Sequence, residues 1–575
     1  MIAGDRAGLV KGNTMKDLNI VIAGAAGEGI QSVGGIFAKA VSAMGYAVFS
    51  WKEYESRIRG GVNRFAVRIG EKPVNVPLEQ ADVLLALNGR ASAKYSYLLK
   101  KEGLLVSGEE KDDRTIAIDF QKTAKAEFDN PIYANTIAVG ALAGILGMDL
   151  DQLKEVVSAQ FAGKADDVIL NNRDATQKGY QMAQKSCGDR CPWELSPRKT
   201  SYTLIAGNEI LPIAAAHGGC RFIAAYPMTP STSIITTLAH NATKWGVFAE
   251  QAEDEIAAIN MAIGAGYAGA RSMTATSGGG FALMTEGISL AGMTETPVVI
   301  VLAQRPGPAT GLPTRTAQGD LLFAVHAGHG EFPKLVMAPS DPKDLFDKTV
   351  RAFNLADRFQ VPVIILTDQF LADSRFSLED VTSTVSKAKS HLSNASGLSD
   401  YKRYALTKDG ISPRLYPGQS AHLVVADSDE HDERGHITED LYQTVPSMVE
   451  KRIAKANGLK HAVQPPEQYR VEDAEMILVG WGSSRGAMVE AIDGLGENRI
   501  KAGMIHFTEV WPLREMKWPK DKPCWTVEAN ATAQLARLLR GEYGLDFQGN
   551  VLQYDGLPLT AEYIRRQIHD RFKTE

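Results

Sequence analysis

The sequence predicts an α/β fold: three doubly wound α/β domains in series. Three observations lead there. At roughly 100–200 residues per domain, 575 residues accommodate about three or four domains, each with its own core. Short apolar runs alternate with helical patterns, which is how a parallel sheet covered on both faces reads. That alternation is interrupted twice by polar stretches, around 187–200 and 382–465.

The first series opens with an apolar run at 17–23, then Gly24, Gly27 and Gly29, then a helical pattern over 30–44. Strand, glycine turn and helix make a βα unit. Further strands are expected at 46–50, 65–69, 83–87 and 104–107, with an apolar helix at 137–146, giving a domain over 15–186. Met15 is an alternative start. The segment 187–200 (CGDRCPWELSPRKT) reads as a linker. A second domain, 201–465, carries strands at 222–225, 272–276, 298–303, 334–337 and 361–367. A third, 466–575, carries strands at 476–481, 502–507 and 524–527 before a C-terminal helix.

Composition narrows the function classes. The apolar fraction of 44% and charged fraction of 23% exclude a disordered or fibrous chain. A net charge of −6 without a basic tail argues against nucleic acid or anionic membrane as the main partner. The longest uncharged stretch, 222–243, holds two prolines and many hydroxyls, and no secretory signal opens the chain, so a cytoplasmic protein is expected. Four cysteines are too few for a disulfide scaffold or, at these spacings, for an iron–sulfur cluster. Cys187 and Cys191 are expected as a reduced pair in the linker, and no metal site is read in this chain.

Several motifs fall at strand ends, where open α/β sheets bind ligands. The run from Gly24 to Gly29 fits a structural turn as well as an anion contact. Lys52, Arg57, Arg59 and Arg64 fit either a solvated face or a loop facing a carboxylate or a coenzyme A phosphate. Tyr226-Pro-Met-Thr-Pro-Ser-Thr holds Thr229 between two prolines. Within Glu250, Glu253, Asp254 and Glu255, a carboxylate at a helix start either favours the helix dipole or serves proton exchange. Ser277-Gly278-Gly279-Gly280 fits a plain turn or a close backbone approach to a ligand. The loop from Gln304 to Asp320, with Arg305 and Arg315, fits an anion-binding loop or a surface loop.

Taken together, YPMTPST, the helix opening at Glu255, TSGGGFALMTEG and QRPGPATGLPTRTAQGDL resemble the catalytic subunit of the 2-oxoacid:ferredoxin oxidoreductases. The resemblance spans essentially the whole chain. It implies a gamma-type domain, a thiamine-pyrimidine-binding domain and a transketolase-C-terminal-like domain, in that order. The gamma–alpha fusion, HAGHGEFPK at 326–334 and DEHDERGHITED at 429–440 are most similar to the 2-oxoglutarate enzyme. The implied reaction is coenzyme A-dependent oxidative decarboxylation of 2-oxoglutarate to succinyl-CoA with reduction of ferredoxin, or its reverse. Pyruvate or branched-chain 2-oxoacids are the alternative substrates, and a non-catalytic nucleotide- or CoA-binding module is the alternative of another class.

By that resemblance Glu255 matches the glutamate that hydrogen-bonds the aminopyrimidine N1′ of thiamine diphosphate. Tyr226, Pro227, Gly278 and Gly279 line the same cofactor. Thr229 matches the threonine beside the ketoacid end. Arg315, ahead of Arg305, is the choice for a substrate carboxylate, and Ser56 and Arg59 belong to the gamma-type domain's contribution to substrate. The chain lacks the GDG…NN diphosphate–magnesium motif, its only NN pair being Asn171-Asn172, and it lacks cluster cysteines. Mg2+ and a [4Fe–4S] cluster are therefore assigned to a beta subunit, in a dimer of alpha–beta heterodimers.

Overall fold

A computed structural model describes residues 17–56, 60–110, 112–379, 387–497, 500–519 and 521–572. The expected alternative start at Met15, and Arg57 and Arg59, lie outside these residues. The fold is mixed α/β with three sheets, distributed over two compact units: residues up to 204 together with 375–379, and the remainder.

The first unit is built on a sheet ordered Thr115–Ala117, Leu99–Ser107, Ala81–Ala86, Leu18–Ala26, Gly60–Gly70, Ala47–Glu53, Arg375–Leu378 and Thr203–Ala206. Leu18–Ala26 is central and apolar on both faces. It runs parallel to Ala81–Ala86 (Ile20 opposite Val83) but antiparallel to Gly60–Gly70 (Leu18 opposite Ile69). The expected run of βα units therefore needs correction here. Ala47–Glu53 and Gly60–Gly70 pair antiparallel, because the connection 54–59 is far too short for a parallel crossover. The apolar helix forms as expected, over Ala134–Ile145, and is buried almost throughout. It meets the helix Asp166–Cys187 at two glycines. A Cβ on Gly140 would lie 1.9 Å from the Thr176 carbonyl oxygen, and one on Gly179 would lie 1.9 Å from that of Ile137.

One expectation for 187–200 is overturned. Cys187 and Cys191 form a disulfide rather than a reduced pair. Cys187 ends its helix, and Gly188, at φ +52°, turns the chain so that Cys191 returns to it. The segment is fastened to the first unit: Leu195 is fully buried, its N–H bonds to the Leu146 carbonyl, and the Arg198 N–H bonds to that of Met44.

The second unit holds two sheets. The larger is ordered Glu509–Trp511, Leu335–Met337, Pro362–Asp368, Val298–Gln304, Arg271–Thr276, Cys220–Ala225 and Phe248–Gln251. All neighbours are parallel except Glu509–Trp511. Val298–Gln304 and Pro362–Asp368 are buried along their whole length, as β-rich strands in the middle of a doubly covered sheet must be. The smaller sheet is ordered Glu467–Tyr469, Ala502–Phe507, Met476–Trp481, Cys524–Glu528 and Gly549–Leu552. One continuous core joins the two: Ile259, Ile300, Trp481, Phe507 and Leu535 belong to the same apolar cluster.

No strand forms among the described residues 387–466. Buried ion pairs anchor this polar stretch instead. Lys451 Nζ lies 2.7 Å from Glu295 Oε1, and Lys455 also pairs with Glu295. Burial alone would raise the Glu295 carboxyl, but Lys455 and Lys451 override it and hold it down to about 2. Burial also brings Lys455 down to about 7. Arg414 and Arg271 close on Asp357 at 2.6 and 2.9 Å.

Candidate cofactor and active site

Six parallel strands of the larger sheet end on one edge, so the segments that follow them converge there. After Cys220–Ala225 comes the Tyr226–Thr232 turn. Asn208 Nδ2 donates to the Pro230 carbonyl at 2.6 Å, and Ser231 Oγ donates to that of Met228 at 2.7 Å, which fixes the turn from both sides. Tyr226 is 40% exposed, while Pro227 and Thr229 are half-buried. Arg305, the first residue after Val298–Gln304, donates from Nη1 to the Thr229 carbonyl at 2.6 Å. Burial lowers its pKa. Arg305, one of the two sequence-predicted arginines, is thus bonded to this turn.

Arg315 lies elsewhere on the same loop. A Cβ on Gly556 would sit 3.1 Å from Arg315 Cβ, which places the arginine against the loop after Gly549–Leu552. The loop is closed at its base by Gln304, whose Oε1 accepts the Asp320 N–H at 2.9 Å and whose Nε2 donates to the Thr367 carbonyl at 3.1 Å. Gln318 ties it to the smaller sheet, donating to the Trp481 carbonyl and accepting from the Ala529 N–H, both at 2.9 Å.

The acidic run separates into two roles. Asp254, in extended conformation, caps the helix Glu255–Tyr267 by accepting the Ala257 N–H at 2.7 Å. Glu255 is therefore free of capping duty. It is only 3% exposed, and its Oε1 has no hydrogen-bond partner among the described residues. A buried carboxylate oxygen left unpaired costs free energy unless a ligand supplies the donor. Ser277 Oγ, at the end of Arg271–Thr276, is likewise buried and unpartnered.

The glycines shape the space around Glu255. A Cβ on Gly280 would lie 2.3 Å from Glu255 Oε1 and 2.2 Å from Thr276 Oγ1, whereas one on Gly279 would meet nothing within 4 Å. Gly278 faces Asp320, whose Oδ2 would be 2.8 Å from a Cβ there. Burial pushes the Asp320 carboxyl up to about 6. Sequence reasoning singled out Gly278 and Gly279 but missed the parts played by Gly280 and Asp320. The third glycine of SGGG and the Asp closing the QRPGPATGLPTRTAQGD run were the available signals.

In the first unit, Ser56 is exposed. The Gly24–Gly29 turn is partly satisfied from within: Glu28 Oε2 accepts the Ala25 N–H at 2.7 Å and Asn88 Nδ2 at 2.5 Å. Beside it lies a cavity of about 360 Å3 lined by Gly27, Gly29, Lys52, Tyr54, Asn63 and Arg64, among others. Among the described residues no group of His, Cys, Asp and Glu could hold a metal ion, and no helix is long and apolar enough to cross a membrane.

A buried glutamate with one unpaired oxygen, beside glycines at the carboxyl edge of a parallel sheet, marks the chain as a ligand-binding α/β protein. Comparison with known proteins makes this specific. Residues 213–451 match the family described as "Pyruvate flavodoxin/ferredoxin oxidoreductase, thiamine diP-bdg", and residues 19–182 match "Pyruvate ferredoxin/flavodoxin oxidoreductase". The chain is 31% identical to the 2-oxoacid:ferredoxin oxidoreductase subunit alpha of Sulfolobus sp, over 96% of each chain. It is 37% identical to the 2-oxoglutarate synthase subunit KorA of Archaeoglobus fulgidus, over 54% of this chain and 82% of that one. The solved 2-oxoglutarate:ferredoxin oxidoreductase from Magnetococcus marinus, with 2-oxoglutarate, coenzyme A and succinyl-CoA bound, superposes with a TM-score of 0.90 at 33% identity. That match covers 97% of this chain and 99% of that one. The chain belongs to the 2-oxoacid:ferredoxin oxidoreductase family, as an alpha subunit, and is an oxidoreductase with ferredoxin as acceptor.

Proposed function

We propose that the chain is the gamma–alpha fused subunit of a 2-oxoglutarate:ferredoxin oxidoreductase, in which 2-oxoglutarate and coenzyme A become succinyl-CoA and carbon dioxide. The unpaired Glu255 Oε1 beside Gly280 carries the reading, because it fits a protonated aminopyrimidine N1′ and finds no donor among the described residues. When bound, thiamine diphosphate supplies the carbanion that attacks the 2-oxo carbon. The chain's own residues then divide the work. Glu255 holds the pyrimidine edge, Tyr226, Pro227, Gly278 and Gly279 line the ring, and the Thr229 turn with Arg305 takes the ketoacid end. Arg315 takes the distal carboxylate that distinguishes 2-oxoglutarate from pyruvate, with Ser56 and Arg59 as further substrate residues. The similarity to KorA and to the Magnetococcus marinus enzyme supports that substrate, and the Sulfolobus relative supports a broader 2-oxoacid range as the second reading.

A beta subunit carries the diphosphate–Mg2+ site and the [4Fe–4S] cluster, and ferredoxin takes the electrons in the cytoplasm. The helices bearing Glu255 and Gly278–Gly280 leave Ile256, Met261 and Leu283 exposed, as a face covered by such a subunit would be. The three domains 15–186, 201–465 and 466–575, joined by 187–200, complete the proposal.

The test is reconstitution with a GDG-containing partner, followed by reduction of a low-potential dye with a panel of 2-oxoacids and coenzyme A. 2-Oxoglutarate should give the highest kcat/KM. Glu255→Gln should assemble normally and lower turnover by about 10²–10⁴-fold. Wild-type turnover in that variant refutes the role of Glu255, and a preference for pyruvate refutes the substrate.

A further inference from the structure

The strand Arg271–Thr276 carries hydroxyls at alternate positions, Ser272, Thr274 and Thr276, and all three are at most 2% exposed. Alternate residues of a strand share a face. Opposite Thr274 and Thr276 the adjacent strand places Ile300 and Leu302, so the sheet itself has no need of hydroxyls at that level. A buried hydroxyl without a good acceptor costs free energy that a valine of nearly the same shape does not. Ser272 Oγ and Thr274 Oγ1 have no hydrogen-bond partner among the described residues. The one bond from Thr276 Oγ1, to the Ser277 carbonyl, spans 3.4 Å, at the outer limit for such a bond.

This face packs along the helix Glu255–Tyr267. A Cβ on Gly266, near the end of the helix, would lie 3.3 Å from Ser272 Oγ, and Thr276 Oγ1 meets the helix at its start. There a Cβ on Gly280 would lie 2.2 Å from Thr276 Oγ1 and 2.3 Å from Glu255 Oε1. Two oxygens that near to one point are less than twice the longer distance apart, and the missing side chain of Gly280 leaves nothing between them. One is a donor with a poor acceptor, and the other an acceptor with no donor. A β-branched threonine is stiff at χ1, whereas the terminal torsion of a glutamate is broad. The carboxylate is therefore the group that swings to close the gap.

Resting on the thiamine diphosphate reading above, we propose that Thr276 is a positioning residue for Glu255, donating from Oγ1 to its carboxylate when the cofactor is bound. A carboxylate oxygen has two lone pairs, so Oε1 accepts the Thr276 hydroxyl from the sheet side and the N1′ proton from the open side. Held at both, the carboxylate cannot turn out of line with the pyrimidine edge, and Gly280 is the residue that lets the two oxygens meet.

The experiment uses the chain assembled with its diphosphate-binding partner and compares Thr276→Val, Thr276→Ser, Glu255→Gln and the double variant Glu255→Gln with Thr276→Val. Thr276→Val should lower kcat by about ten- to hundredfold, the worth of a hydrogen bond to a charged group, with KM for the 2-oxoacid unchanged. Its cofactor-free melting temperature should hold or rise, because a buried hydroxyl with a poor acceptor is gone. Thr276→Ser, which keeps the hydroxyl, should retain most of the turnover. In the Glu255→Gln background, adding Thr276→Val should change kcat by less than about twofold, since a residue that acts through another has nothing left to act on. By calorimetry, Thr276→Val should weaken thiamine diphosphate but not an analogue with CH in place of N1′. Equal loss from Thr276→Val in both backgrounds overturns the proposal, as does a Thr276→Ser complex as impaired as Thr276→Val or equal weakening of both ligands. Wild-type turnover in Thr276→Val with impaired Glu255→Gln also overturns it, and leaves the cofactor reading standing. Wild-type turnover and cofactor affinity in Glu255→Gln overturn the cofactor reading itself.

Discussion

A methyl group placed at Gly280 should disable the site without touching any charged residue. In Gly280→Ala the new Cβ would lie 2.3 Å from Glu255 Oε1 and 2.2 Å from Thr276 Oγ1, where 3.0 Å is about the closest real approach. Thr276 is fixed in a central strand, so the backbone at Gly280 must move away from it and the Glu255 carboxylate must yield by about 0.7 Å or more. Overpacking of that kind costs about 1–3 kcal/mol of stability. A displacement approaching 1 Å in a group that orients the reacting atoms costs about a hundredfold in turnover. Gly279→Ala is the matched control, because its Cβ meets nothing within 4 Å. There the gain in helix propensity, up to about 1 kcal/mol, should raise the stability of the cofactor-free complex while the methyl group occupies the open face. Denaturant melts of both cofactor-free complexes, with kcat and cofactor Kd for each, read the two effects separately. A Gly280→Ala complex with wild-type stability, affinity and turnover would refute the packing argument and with it the placement of Glu255.

Asp320 also sets a pH dependence. Burial raises its carboxyl from an ordinary 3.8 to about 6, so the folded state binds its proton more tightly than the unfolded state. Its stabilising contribution is complete below about 4 and is lost as pH rises through about 6; melting curves from pH 4 to 8 should show a smaller loss in Asp320→Asn than in wild type. Glu295→Gln should leave Lys451 and Lys455 facing a neutral amide and cost on the order of 3–5 kcal/mol in a denaturant melt. On a panel of 2-oxoacids, Arg315→Met should raise KM for 2-oxoglutarate about tenfold to a hundredfold more than for pyruvate, and Arg305→Met should penalise both alike. Loss of both substrates in equal measure by Arg315→Met would remove it from the distal carboxylate.

Much of this was legible in the residues. Apolar runs such as 298–303 and 361–367 gave strands within a residue or two, because burial on both faces leaves little choice of residue. Glu255 stood out as a carboxylate at the head of a small-residue helix, a pattern that fitted the helix dipole equally well, and only its buried, unpaired oxygen separates it from Asp254. What escaped depended on pairs of residues remote in sequence. The Gly280 requirement appears only once Thr276 and Glu255 lie on either side of it. The burial of Asp320 against Gly278 is a property of its surroundings, not of its neighbours in the chain. The Cys187–Cys191 bond depended on a left-handed turn at Gly188, which composition alone does not specify. The antiparallel pairing after 53 depended on a short connection whose significance the apolar pattern masked.

The strand Arg375–Leu378 has a consequence for how the chain comes into being. It lies along Ala47–Glu53, with Arg375 opposite Ser50, and Ser377 Oγ receives the Val48 N–H at 2.7 Å from 329 residues away. During synthesis from the N-terminus, the ribosome must deliver residues 205–374, the first stretch of the second unit, before that partner exists. Until then Ala47–Glu53 is a bare sheet edge, with backbone groups available to any passing extended chain. Nascent or truncated chains ending before residue 375 should therefore be the aggregation-prone species in expression, and a chaperone's period of attendance should be set by the arrival of these four residues rather than by completion of the first sheet's own sequence.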